Sequence, residues 1–72
     1  MANIITDPIE STKPYKKVKN KVDREVKRIM RNDPTQRGRQ YTMWYHKKRI
    51  LKEKYGISWR SPAEMNPHID FS

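Results

Sequence analysis

The sequence predicts an all-α protein, a small helical hairpin with an extended N-terminal arm and a C-terminal tail. Three observations carry that expectation. Apolar residues recur at spacings of three and four in two stretches, Asn32-Asp33-Pro34 separates the stretches and Gly56 closes the second, and 72 residues leave room for one domain only. At this size only about 60% of the unfolded chain's surface can be buried, so the core must be thin.

The arm, residues 1–13, holds Ile4, Ile5 and Ile9 around Asp7-Pro8 with no helical period, and it is read as extended. Ser11 or Thr12 can cap a helix with Pro14 in its first turn, where a missing N–H does no harm. That helix is expected over about 14–31. Tyr15, Val18, Val22, Val26 and Ile29 fall on one stripe with Met30 at its edge, while Lys17, Lys21, Arg24, Arg28 and Arg31 fall roughly opposite.

Asp33 before Pro34 is pushed out of the α region and ends the first helix. Asp33, Pro34 and Gln36 then form a candidate capping box for a second helix over about 34–55, weakened in its first turns by Gly38 and stopped by Gly56. Tyr41, Trp44, Tyr45, Leu51 and Tyr55 make one broad face interrupted by Lys48, with Met43 and Ile50 on the other side. Two apolar faces require two neighbours. The expectation is that the first helix covers the aromatic face as an antiparallel partner, and that the tail 57–72, with Ile57, Trp59, Met65, Ile69 and Phe71, covers the Met43–Ile50 side. Within that tail, Ile-Ser-Trp-Arg at 57–60 reads as extended, and Ser61-Pro62-Ala63-Glu64 is a capping box for a short helical turn at about 62–66.

Composition narrows the function. Hydrophobic residues make up 33% of the chain and charged ones 35%, with a net charge of +9. All 17 bases lie between Lys13 and Arg60, a stretch with four acids and therefore a net +13. Such a density attracts polyanions, nucleic acid first among them. Without cysteine there is no disulfide or thiolate site, which suits a reducing compartment. No apolar run has the length of a membrane span, and MANIITDPIE has neither the basic nor the apolar region of a secretory leader, so an unprocessed intracellular protein is expected.

Catalysis has little material. His46 and His68 are read as surface histidines, no acid or thiol stands at metal-ligand spacing from either, and the acids are scattered singly. Two isolated glycines make no phosphate-cradling loop. No cofactor and no metal are expected, and a metal-free nuclease is a remote reading.

Phosphate binding needs bases held along a line. The expected contacts are Lys17, Lys21, Arg24, Arg28 and Arg31 on the first helix, Arg37 and Arg39 at the turn, and Lys47 and Arg49 on the second helix, with Tyr45 and Trp59 as candidates for stacking on unpaired bases. The function expected is non-catalytic nucleic-acid binding, RNA slightly ahead of DNA, largely independent of base sequence. The rival expectation is a small viral or accessory modulator that binds an acidic protein such as a host polymerase, nuclease or toxin, since Arg, Trp, Tyr and Met are the residues of interface hot spots. Self-association would be another way to supplement a thin core.

Overall fold

The computed structural model describes residues 4–34 and 37–71. Among them are three α-helices, α1 (Lys13–Arg31), α2 (Arg39–Tyr55) and α3 (Pro62–Met65), and one turn of 3-10 helix over Pro8–Ser11. The two long helices pack against each other, and the tail runs back along α2, from Gly56 at its end to Phe71 beside Tyr41 and Trp44, with the arm tied to it.

The arm is not extended throughout. Asp7 accepts a hydrogen bond from the Ile9 N–H at 3.0 Å and Pro8 follows it, which turns Pro8–Ser11 into a capped 3-10 turn. The Ile9 carbonyl then accepts from both the N–H and the hydroxyl of Thr12, at 3.0 and 2.6 Å. Thr12 therefore holds the N-cap position of α1 without capping it through its side chain. Residues 1–3 of the expected arm lie outside the described residues.

α1 begins one residue earlier than expected and buries Tyr15, Val22, Val26 and Met30, with Val18 and Ile29 half-buried beside them. The joint to α2 differs more. Asp33 and Pro34 belong to no helix, and α2 starts only at Arg39, after Gly38 at φ 63°. A left-handed residue cannot continue an α-helix, so Gly38 sets the start that the glycine's mere presence left undecided. Asp33 is not the N-cap of α2, a position held by Gly38, and its carboxylate faces His46 Nε2 at 3.9 Å; Gln36, the other half of the expected capping box, lies outside the described residues. Gly56, at φ 64°, is the left-handed stop that the sequence predicts, its N–H donating to the Lys52 carbonyl at 3.1 Å.

The two faces of α2 are exchanged relative to expectation. α1 lies on the Met43–Ile50 side, where Lys47 Nζ stands 3.8 Å from Asp23 and Lys54 Nζ 2.7 Å from Glu25. The aromatic side carries the tail instead: Phe71 meets Trp44 edge-on at 5.2 Å between ring centres, its N–H donates to the Tyr41 hydroxyl at 3.0 Å, and Lys48 pairs with Glu64. Charges match across this contact. Asp23 and Glu25 flank the apolar stripe of α1 on opposite margins, and the Met43–Ile50 side presents two lysines, seven residues apart, to meet them.

The core is Tyr15, Val22, Val26, Met30, Ile50, Leu51, Ile57 and Trp59. Three polar ties hold arm to tail around it. Trp59 Nε1 donates to Glu10 at 2.9 Å, and Asp7 accepts the Arg60 N–H at 2.9 Å and Nε at 3.2 Å. Asn66, fully buried, accepts from the Ile5 N–H at 3.0 Å and donates to the carbonyls of Ile5 and Pro62 at 2.7 and 2.8 Å. Its amide thus has all the partners that a buried amide requires. α3 forms where predicted, with the Ser61–Glu64 capping box made in both directions.

Candidate nucleic-acid interface

α1 carries nine bases and two acids. At 100° per residue Asp23 and Glu25 fall at the edges of the buried stripe, and both are drawn into ion pairs with α2. The outer half of the helix is left without an acid. Lys17, Lys21, Arg24, Arg28 and Arg31 are all exposed there, as expected, and Lys13, Lys16 and Lys27 share the same half. Those three lysines were open to sequence reasoning through the helical period, which places each within about a quarter turn of Arg24.

From Lys17 to Arg31 the stripe rises about 21 Å at 1.5 Å per residue. A duplex presents roughly a dozen phosphates over that length. Apart from Arg24 Nε, which donates to the Asn20 carbonyl at 3.5 Å, the five side chains of the stripe make no hydrogen bond or ion pair among the described residues.

The remaining predicted contacts divide. Arg37 is exposed in the turn before α2. Arg39 is committed to structure: Nη2 donates to the Met30 carbonyl at 2.7 Å and Nη1 to that of Asp33 at 3.3 Å, so it caps the C-terminal end of α1. Lys47 is not a surface cation. Its ammonium sits 4.8 Å from the Trp59 ring centre and 5.4 Å from that of Tyr15, with Asp23 beside it. Arg49 is exposed and 3.6 Å from Glu53, one turn on. Tyr45 is 63% exposed, while Trp59, at 2%, belongs to the core and offers no free ring face to a base.

No protein family, curated protein or solved structure matches this chain. The site is therefore argued from its own residues.

Two groups in the interior are perturbed. Asp7 is held below the usual carboxylate range by the Ile9 N–H and by the hydrogen bonds and charge of Arg60, against an opposing push from burial. Burial raises the Tyr15 phenol, with Lys47 opposing, and its hydroxyl has no hydrogen-bond partner among the described residues. His46 is not the surface histidine expected: its side chain is 16% exposed and Nδ1 is buried with no hydrogen-bond partner among the described residues. His68 is exposed. Among the described residues no group of three or more His, Cys, Asp or Glu could hold a metal ion, and no helix is long and apolar enough to cross a membrane.

Proposed function

We propose that this chain binds nucleic acid without catalysis, gripping phosphates along the outer face of α1 with little regard to base sequence, RNA slightly ahead of DNA. The observation that carries the reading is the segregation of sign on α1: both of its acids are turned to lysines of α2, and five exposed bases line up outside. A helix that needs only solvation mixes its signs. Base-lined helices of this kind also enter RNA grooves, which places RNA ahead.

Binding is expected to fall steeply with salt. Five phosphate contacts give a log–log slope of about −4.5 on duplex and about −3.5 on a single strand. Titrating labelled RNA and DNA at two salt concentrations measures it, and an absence of binding at low salt would overturn the proposal. Replacing Arg24 and Arg28 by glutamate should weaken binding by roughly a hundredfold or more while the circular dichroism of the helices persists.

A further inference from the structure

A groove runs along the seam between α2 and the tail, on the side of α2 turned away from α1. Tyr41, Tyr45, Lys48 and Lys52 form its helical wall at spacings of four, three and four, one ridge of the helix. Tail residues form the other wall.

Two adjoining hollows make up the groove. The first, about 360 Å³, lies among Tyr41, Trp44, Tyr45, Lys48, Ser61 and Glu64. The second, about 410 Å³, lies among Asp7, Lys48, Lys52, Ser58 and Arg60, with Ile9 and Trp59 completing its lining. Lys48 stands between them and belongs to both.

Their chemistries differ. The first is aromatic: Tyr45 is 63% exposed and Tyr41 37%, and the ring of Trp44 meets Tyr41 edge-on at 5.7 Å. The second is cationic. Asp7 lines it and pairs with Arg60, whose side chain stays 62% exposed, while Lys52 has no ion pair among the described residues. Lys48 pairs with Glu64 across the seam, so the cation without an acid is Lys52, with the exposed guanidinium of Arg60 in the same hollow.

Ring faces at one end, and at the other a lysine without an acid beside an exposed guanidinium, match a ligand with a flat π-system joined to a phosphate. From Tyr41 to Lys52 the ridge rises about 16 Å, room for a few nucleotides. In a duplex the base faces are already stacked, while unpaired bases are free to stack on tyrosine. We infer that this groove binds a short single-stranded segment of nucleic acid, a base stacking on Tyr45 and the backbone phosphates lying against Lys52 and Arg60.

The inference rests on the nucleic-acid reading and adds a second contact surface to it. Arg24 points away from α2 and Tyr45 away from α1, so the duplex-gripping stripe and the groove lie on opposite sides of the helix pair.

The test is a set of anisotropy titrations with a labelled single strand and a duplex of equal length, using the full chain, Tyr45→Ala/Lys52→Ala, and Arg24→Glu/Arg28→Glu. The groove variant should lose roughly tenfold or more on the single strand and less than twofold on the duplex. An equal loss on both, or no loss on the single strand, overturns the groove while leaving the α1 stripe standing. If the unmodified chain binds neither probe, the nucleic-acid reading itself falls. Lys52→Glu alone, on an exposed side chain, keeps the test decisive should the double variant fail to fold.

Discussion

α1 and α2 are of similar length and both are rich in lysine and arginine, yet they use their charges in opposite ways. α1 has neighbours on one side only, so apolar residues and acids collect on that side and bases collect on the other. α2 lies between α1 and the tail. Its buried residues, Ile50 and Leu51, are adjacent in sequence and point about 100° apart, one arc for each neighbour. Lysines fill the boundaries between those arcs: Lys47 covers two aromatic rings, Lys54 pairs with Glu25, and Lys48 pairs with Glu64. A basic residue on α1 is therefore a surface feature, and most on α2 are structural.

The strongest way to test that contrast is through the core. Leu51→Ala, at a fully buried position serving both neighbours, should cost about 3–4 kcal/mol and leave the chain largely unfolded in a urea titration, whereas Val22→Ala on α1 should cost about 1–2 kcal/mol. Equal costs would mean that α2 is no more central than α1.

Next in size is the polar seam. Asn66→Ala strands the Ile5 N–H and carbonyl, while the Pro62 carbonyl keeps the backbone N–H of residue 66, and a loss of about 1–3 kcal/mol is expected. Asp7 adds a pH dependence. Its folded pKa is depressed, so its contribution is present above the unfolded value, about 3.9, and is lost as pH falls through the folded value. Urea midpoints at about pH 7 and about pH 3 should therefore differ more for the natural chain than for Asp7→Asn.

Smaller effects separate the two classes of base. Arg24→Glu removes like-charge repulsion at Lys21 and Arg28 and should raise the stability read from a thermal melt slightly, by about 0.5 kcal/mol, while weakening polyanion binding. Lys47→Ala should do the reverse, lowering stability because its stem and charge fill space between Tyr15 and Trp59. The smallest change is Tyr15→Phe, neutral to about 1 kcal/mol stabilising, since the buried hydroxyl has no partner among the described residues.

The same contrast explains what could be read from residues alone. The period of α1, the Gly56 stop and the Ser61–Glu64 box are local signals, and each describes the structure as it stands. The face of α2 that meets α1 is a long-range choice, made against an apolar stripe and two acids on another helix, and no window along α2 contains it. Trp59 is different, because its burial did leave a local mark. Ile57, Trp59 and Ser61 are buried while Ser58 and Arg60 between them are exposed, the alternation of a half-buried extended segment. On the candidate interface, the α1 stripe was legible because exposure there follows from the helix alone, while Arg39 and Lys47 were not, since their partners are the end of α1 and two rings brought together only by the fold.

The tie between Asn66 and Ile5 joins positions 61 residues apart. Contacts of such separation close a long loop and form late. Trp59 and the seam that holds it close the core shared with Tyr15 and Leu51, so opening the seam uncovers apolar surface beside a dense positive charge.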